Sequence, residues 1–268
     1  MLYKTILGMC LMRLLLLLLV CGLVFSCDPY ANPLIIKDQK PEILIYTGIT
    51  MADAISEIND IFESRYDCKA SMMYGASGYL KRVIEVNKVG DIFFPGNKSY
   101  VDSFIKEKIV TKSVDVGFNR LSFFVKKGNP LLLSGDLHQL TDANLKVSLG
   151  ANDSGSVGEE TFKLIKQLKY YNDIISNVTS FTADSKGLVS AIRNSEADIV
   201  INWLATGFVN NNNLFMEPIK IDYDIVNKVP ITMGILKYSS DLECVNNFMD
   251  TVHSSEGKAL FKKYGFND

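Results

Sequence analysis

The sequence predicts an α/β protein with two lobes, each a mostly parallel sheet flanked by helices. Short apolar strand patterns alternate with amphipathic helix patterns along most of the 268 residues. This order is expected of parallel strands joined by right-handed helical crossovers. The alternation is repeated after an interruption near the middle of the chain, and about 230 residues beyond the N-terminal apolar segment suffice for two moderate domains.

The first 26 residues have the pattern of a bacterial lipoprotein signal peptide. Lys4 and Arg13 precede an unbroken apolar run over 14–20, and the segment ends at Ser26-Cys27. Because a membrane span needs about 20 apolar residues, we predict cleavage before Cys27, lipid attachment at Cys27 and a tether over 27–40. The alternative is an uncleaved N-terminal anchor. Both interpretations place the folded part outside the cytoplasmic membrane.

The charge balance of the chain indicates which partners are disfavoured. The full chain has 28 basic and 30 acidic residues, and loss of Lys4 and Arg13 changes the net charge from -2 to -4. This balance does not favour nucleic-acid binding.

Two unmodified cysteines are left in the predicted mature protein. Once the signal peptide is removed and Cys27 carries lipid, Cys68 and Cys244 remain. They form a disulfide only if their Cα atoms lie within about 7 Å, and two buried free thiols are the alternative.

Lobe 1 is predicted to begin at residue 41 and to run to residue 120. Its strands are short apolar runs, and each is followed by a helix whose apolar residues fall on one face. The predicted strands cover 43–46, 71–74 and 91–94, and the helices follow them over 51–62, 80–84 and 100–105.

Lobe 2 is predicted over 121–221 and repeats this order. It starts with a longer strand at 121–125 and a turn at 127–130, where the chain enters the second lobe. Further strands are predicted at 145–149, 177–181 and 198–202, with helices at 162–168 and 188–192. Asn210–Asn213 reads as a solvent loop. Residues 222–268 return to lobe 1 through a strand at 231–236 and two amphipathic helices.

Four strand-to-helix junctions are rich in small or hydroxyl residues, at 47–50, 75–78, 154–158 and 184–185. Ligands of open parallel sheets bind at the carboxyl ends of the strands, so all four junctions can line one cleft. Each helix start has free N–H groups and about half a positive charge. Together they predict a cage of donors suited to a small, fully ionised oxyanion. For any single junction, the alternative is an ordinary serine-capped helix.

From about residue 43 to residue 266 the chain resembles the periplasmic molybdate-binding proteins of ABC transporters. The resemblance rests on the order and spacing of short segments, TMADA at 50–54, GASG at 75–78, GDIF at 90–93, NRL at 119–121, KGNP at 127–130, VG at 157–158, EAD at 196–198, SEGK at 255–258 and KYGF at 263–266. It implies a periplasmic-binding-protein-like fold of type II and an ABC permease as partner. We also expect a monomer without cofactor, lipid-anchored on the extracytoplasmic side of a bacterial membrane.

The resemblance also implies a ligand, molybdate or tungstate, bound without direct protein ligands to the metal. Hydroxyl and backbone donors are expected at Thr50, Ala76, Ser77, Val157, Ser185 and Trp203. The family usually has serine at the position of Thr50 and tyrosine at that of Trp203, but both residues present keep a donor. Glu159 and Glu160 also depart from the family. We expect them to complement the helix dipole. Pointed inward, one of them would accept a proton from a phosphate-like ligand.

Other functions are weighed against this one. An acyl-transfer enzyme needs a nucleophile with a base in reach, but the only histidines are His138 and His253, and no Gly-x-Ser-x-Gly elbow occurs. No zinc-type Cys and His spacing is present. We therefore predict a binding protein that acts by hinge closure rather than an enzyme. Sulfate, phosphate or another small solute is the alternative ligand, and a ligand sensor with the same fold is the alternative role.

Overall fold

The computed structural model describes residues 40–221 and 226–266. The predicted signal peptide over 1–26, the lipid site Cys27 and the tether as far as residue 39 lie outside the described residues. The part of the chain from residue 40 onward forms one compact unit. None of the helices in the described part is long and apolar enough to cross a membrane.

Ten strands of the described residues form two five-stranded sheets. Sheet 1 has the order β2-β1-β3-β10-β4. Its strands are β1 (Glu42–Gly48), β2 (Lys69–Gly75), β3 (Ile92–Phe94), β4 (Val110–Asn119) and β10 (Val229–Leu236). Sheet 2 has the order β7-β6-β8-β5-β9. Its strands are β5 (Leu121–Lys126), β6 (Val147–Gly150), β7 (Val178–Thr182), β8 (Ile199–Trp203) and β9 (Met216–Ile219).

The helices of the described residues pack against these sheets. In chain order they are α1 (Ala52–Arg65), α2 (Ser77–Asn87), α3 (Lys98–Lys106), α4 (Ser156–Ile165), α5 (Tyr171–Asn177), α6 (Ser185–Arg193), α7 (Leu242–His253) and α8 (Ser255–Lys263). Short 3-10 helices cover Ile49–Met51, Leu137–Thr141, Leu204–Phe208 and Asn212–Leu214. We call sheet 1 with α1–α3, α7 and α8 lobe 1, and sheet 2 with α4–α6 lobe 2. The predicted domain boundaries, at 120/121 and 221/222, stay a proposal.

Sheet 1 is buried on both faces. One face packs on α1, α7 and α8, where the Phe62 and Phe248 rings meet edge to face with centroids 5.2 Å apart. The other packs on α2 and α3, where Phe93 and Phe104 lie 5.2 Å apart. Buried aromatic pairs of this kind stabilise a core beyond the area that they bury. Lobe 1 therefore has a well-packed core although its chain is interrupted by lobe 2.

Cys68 and Cys244 form a disulfide, with Cα atoms 5.9 Å apart. Cys68 precedes β2, and Cys244 lies in the first turn of α7. The bond therefore joins the two sequence-distant parts of lobe 1. Of the two alternatives that the sequence left open, a disulfide or two buried free thiols, the structure has the disulfide.

The two-lobed α/β fold predicted from the sequence is confirmed, but its sheets are mixed rather than mostly parallel. In sheet 1, β1 pairs in parallel with β2 and β3, whereas β10 runs antiparallel to β3 and β4. In sheet 2, β6 pairs in parallel with β7 and β8, whereas β5 runs antiparallel to β8 and β9. The antiparallel pairings all involve the strands that carry the chain into and out of lobe 2, namely β4, β5, β9 and β10.

The chain passes between the sheets at Arg120, which separates β4 from β5, and again between β9 and β10. A third segment, 204–214, extends from β8 and places Ala205 in the core of lobe 1. Asn210–Asn213 was predicted to be a solvent loop, but Asn212 is buried and donates from Nδ2 to the Thr206 carbonyl at 2.9 Å. These connections are the candidates for a hinge.

Candidate functional site

Strand register brings the predicted junctions side by side. Gly48 and Gly75 are register partners at the ends of the parallel strands β1 and β2. In lobe 2, Gly150 and Thr182 are partners at the ends of β6 and β7. The chain after each of these strands turns directly toward a helix start, so both lobes present their junctions at the carboxyl ends of parallel strands, where such sheets bind ligands.

All four junctions meet at a small cavity between the lobes, which we call the donor cavity. It measures about 20 Å³, room for about one water molecule. Its lining includes five of the six residues that the sequence predicted for the oxyanion site, namely Thr50, Ala76, Ser77, Val157 and Ser185. The remaining lining is mostly glycine and serine, so backbone groups form much of the wall.

The start of α2 leaves its donors open. Ala76 is the N-cap of α2, and no side chain caps this helix. Ser77 is the first helical residue and is 2% exposed. Its Oγ accepts a hydrogen bond from the Gly96 N–H at 3.0 Å. Because the oxygen is used as an acceptor toward Gly96, the hydroxyl hydrogen can be donated to a ligand. Ser77 is therefore not the capping residue of an ordinary helix.

Lobe 2 adds two further helix starts. The N-cap of α4 is Gly155, again without a capping side chain, and Val157 follows in the first turn. The N-cap of α6 is Asp184, whose carboxylate accepts from the Gly187 N–H at 2.9 Å. Asp184 is the one carboxylate residue among the described residues that line the donor cavity. Because that carboxylate already caps α6, the wall remains rich in donors.

Trp203 lies behind the cavity wall instead of in it. The indole is 1% exposed, and its Nε1–H donates to Ser156 Oγ at 3.2 Å. Ser156 lines the donor cavity, whereas Trp203 does not. Ser156 was not among the predicted site residues, although it is the first residue of α4 just as Ser77 is the first residue of α2. This shared position in two glycine-containing junctions was the signal that could have found it.

Glycines allow the lobes to touch around the cavity. A Cβ atom on Gly78 would lie 2.7 Å from the Ser154 carbonyl oxygen of the other lobe. On Gly96 it would lie 2.2 Å from Ser156 Oγ. Both distances are too short for a real carbon contact. The absence of side chains at these two positions is therefore required for the close approach of lobes 1 and 2.

Glu159 and Glu160 belong to a cross-lobe cluster beside the cavity, with Asn97 and Ser99 of lobe 1 and Lys163 of lobe 2. Asn97 donates to Glu160 at 3.0 Å, and Ser99 donates to Glu159 at 3.0 Å. Lys163 lies 2.7 Å from each carboxylate. Neither glutamate lines the donor cavity. The inward orientation that the sequence left open is not the one observed.

The charges of this cluster are set by its surroundings. Burial opposes the positive charge of Lys163, but its hydrogen bonds to Glu159 and Glu160 outweigh burial and raise the pKa of Lys163. Burial, and after it the negative charge of Glu159, raises the pKa of Tyr100. At neutral pH the lysine stays charged and the phenol neutral, so the carboxylates keep a counterion of their own.

A larger cavity, the side pocket, adjoins the donor cavity and measures about 310 Å³. It lies between the Ile49–Met51 turn, α6 and the segment 204–214. The histidines are elsewhere, since His138 packs on the Tyr170 ring and His253 Nδ1 contacts the Met249 carbonyl oxygen at 2.8 Å. In the described ranges no group of three or more His, Cys, Asp or Glu side chains is placed to hold a metal ion.

Residues 43–267 match the family model of bacterial extracellular solute-binding proteins. The chain is also similar to an uncharacterized protein of Haemophilus influenzae, at 26% identity over 80 residues that cover 30% of this chain and 70% of the relative.

Solved structures share the fold at low sequence identity. The substrate-binding domain of a putative molybdenum ABC transporter from Clostridium difficile gives a TM-score of 0.65 at 19% identity, covering 85% of this chain and 98% of that one. The sulfate-binding protein SubI of Mycobacterium tuberculosis gives 0.73 at 13% identity, with coverages of 84% and 86%. PEB3 of Campylobacter jejuni with bound L-phospholactate gives 0.68 at 20% identity, with coverages of 84% and 99%.

Proposed function

The chain belongs to the family of bacterial extracellular solute-binding proteins, and from this premise we propose that it binds a tetrahedral oxyanion between its lobes and delivers it to an ABC permease. The observation that carries the proposal is the donor cavity, where Thr50, Ser77, Val157 and Ser185 converge from both lobes. We propose molybdate or tungstate as the ligand, in line with the resemblance seen in the sequence. The protein acts by binding and release and is not an enzyme.

The donor set supports an anion because of its chemistry. Helix starts supply backbone N–H groups and a partial positive charge. Hydrogen bonds from such donors to a charged oxygen are stronger than bonds between neutral groups. Ser77 and Ser156 each use their oxygen to accept a bond inside the protein, so each can point its hydrogen at the ligand. A fully ionised oxyanion accepts from all of these groups.

Similar structures bind related anions. One belongs to a putative molybdenum transporter, one is a sulfate-binding protein and one holds L-phospholactate. Sulfate is a tetrahedral oxyanion, and L-phospholactate carries a phosphate group of the same shape. This range supports the shape and charge of the proposed ligand more strongly than its central atom, and sulfate and phosphate remain the alternative ligands.

Ligand entry requires hinge motion. A cavity of about 20 Å³ is far smaller than an oxyanion needs, so the lobes must separate to admit a ligand and then settle around it. Closure around a ligand by hinge motion is a common mode of domain movement. We propose that the permease recognises the liganded, closed form.

The location and assembly of the protein complete the proposal. We propose a monomer in the cell envelope, anchored through lipid on Cys27 to the extracytoplasmic side of a bacterial membrane. The lipid site lies outside the described residues and rests on the sequence alone. Mass spectrometry of the membrane-extracted mature protein tests it, because an unmodified N-terminus at any residue other than Cys27 contradicts it.

Titration of the mature protein with molybdate, tungstate, sulfate and phosphate tests the function. Trp203 is the only tryptophan and bonds to Ser156 in the cavity wall, so its fluorescence is expected to change on binding. We expect saturable binding of the first two anions, weaker binding of sulfate and the weakest binding of phosphate, which carries a proton. Calorimetry serves as the control, because it detects binding even if the fluorescence of Trp203 does not change. Failure of all four anions to bind would contradict the proposed function.

Removal of either cavity hydroxyl is expected to weaken oxyanion binding. A hydrogen bond to a charged group contributes about 1.5–3 kcal/mol, so Ser77→Ala or Ser156→Ala should raise Kd roughly tenfold to a hundredfold. Calorimetry measures the effect. The matched control is Ser64→Ala, since the Ser64 hydroxyl donates to the Ile61 carbonyl on α1, away from the cavity. Unchanged affinity in both cavity variants, with the fold intact, would show that the hydroxyls do not contact the ligand.

A further inference from the structure

The side pocket adjoins the donor cavity, because Ile49, Thr50 and Ser185 line both. At about 310 Å³ it has the size at which pockets for small organic ligands begin. A bare oxyanion in the donor cavity leaves this space to solvent. A ligand that carries an organic group on the oxyanion would fill it.

The side pocket is positively charged. Lys186 and Arg193 line it from α6, where a spacing of seven residues places them on the same helix face. No carboxylate residue is among the described residues that line it. In the described part of the chain, neither cation forms an ion pair, and the Arg193 guanidinium lies 4.4 Å from the centroid of the Phe215 ring. The pocket therefore offers two cations to an anionic group of a ligand.

A buried acceptor lies in the part of the lining that the segment 204–214 forms. Asn212 lines the pocket and is 5% exposed. Its Nδ2 donates to the Thr206 carbonyl, whereas its Oδ1 has no hydrogen-bond partner among the described residues. Buried polar atoms of folded proteins nearly always have a partner. A hydroxyl group on a ligand is the donor that fits this oxygen, and Val189 and Val209 supply the apolar walls around it.

We propose that the side pocket binds the organic part of a phosphate monoester of a small hydroxy carboxylic acid, with the phosphate group in the donor cavity. This inference rests on the proposed function, because the same donors hold the tetrahedral anion, but it replaces molybdate or tungstate with a phosphate ester. Near neutral pH such an ester is mostly a dianion without a proton, so it suits a cavity of donors better than inorganic phosphate does. The ligand carboxylate pairs with Lys186, which follows Ser185 directly. Arg193 lies about 10 Å further along the helix and reaches the carboxylate of a longer ligand. The ligand hydroxyl donates to Asn212.

Calorimetry of the mature protein with five probes tests this inference. The probes are molybdate, inorganic phosphate, glycerol 3-phosphate, 3-phosphoglycerate and glycerate. We expect 3-phosphoglycerate to bind at least about tenfold more tightly than glycerol 3-phosphate, which lacks the carboxylate, and glycerate to bind weakest. The double variant Lys186→Gln/Arg193→Gln should abolish the tenfold ratio. The matched control Lys166→Gln/Lys169→Gln removes the same charge from exposed positions outside the pocket and should keep the ratio.

The outcomes separate the two proposals. Equal binding of the two esters, or a ratio that persists in Lys186→Gln/Arg193→Gln, overturns the inference about the side pocket. Binding of molybdate, with 3-phosphoglycerate no better than inorganic phosphate, overturns it as well and leaves the proposed function intact. If none of the tetrahedral anions binds, the proposed function itself fails.

Discussion

Removal of the Cys68–Cys244 disulfide is expected to lower the free energy of unfolding by about 5 kcal/mol, on the loop-entropy relation for a long closed loop. The two cysteines are 176 residues apart, so the bond greatly restricts the unfolded chain. Urea unfolding of Cys68→Ala/Cys244→Ala against wild type measures the difference. Both side chains are buried, and alanine keeps the sites apolar, so packing contributes less than the lost cross-link.

The control for this experiment is the response to reductant. Wild type should unfold at a lower urea concentration once it is reduced, whereas the double variant should not respond. A loss below about 1 kcal/mol would show that the unfolded chain keeps enough structure to make the cross-link redundant, or that the exported protein does not form the bond.

Blocking the contact at Gly78 is expected to prevent closure of the lobes. An alanine Cβ would lie 2.7 Å from the Ser154 carbonyl oxygen, which belongs to the backbone and cannot rotate away. Overpacking of this kind costs about 1–3 kcal/mol, so Gly78→Ala should raise Kd roughly fivefold to a hundredfold, and Gly78→Leu by more. The fold of lobe 1 should not suffer, because Gly78 is in α2 and alanine is a better helix former than glycine.

Calorimetry with the anion that binds best, combined with small-angle scattering with and without that anion, tests the closure prediction. The matched variant is Gly155→Ala, whose Cβ would lie 3.3 Å from the Ala76 Cβ across the cleft, a contact that needs only a small adjustment. It should therefore have a weaker effect. Wild-type affinity and compaction in Gly78→Leu would mean that the lobes do not meet at Gly78 in the liganded protein.

The strands and helices joined by helical crossovers could be predicted from the sequence because their apolar periodicity is strong. The strands β4 and β9 could not. Most side chains of β4 are exposed or half-buried, and its alternation is interrupted by lysine and aspartate. The strand β9 has four residues and contains Pro218. Both are edge strands, which lack the continuous apolar run of central strands. The direction of β5 and β10 could not be predicted either, because apolar periodicity does not tell whether a strand runs parallel or antiparallel to its neighbour.

The helix N-termini that line the candidate site were predictable, because a helix that follows a parallel strand begins at the carboxyl end of that strand. Thr50, Ser77 and Ser185 follow from that rule. The partner of Trp203 did not, since an indole can donate equally well to a ligand or to a neighbouring hydroxyl. Only the position of Ser156 in the folded chain decides between them. The side pocket also escaped prediction, because it depends on Asn212, which lies in a polar run that is usual for solvent loops.

The glycine and serine contacts between the lobes affect the solubility of the protein when the lobes are apart. When the lobes separate, the surfaces exposed at Gly78, Gly96, Ser154 and Ser156 carry little hydrocarbon, and the cross-lobe cluster returns charged groups to water. Exposed apolar patches are what promote association between proteins. An open molecule with these surfaces has little tendency to aggregate. Many cycles of opening and closing are therefore compatible with long-term solubility.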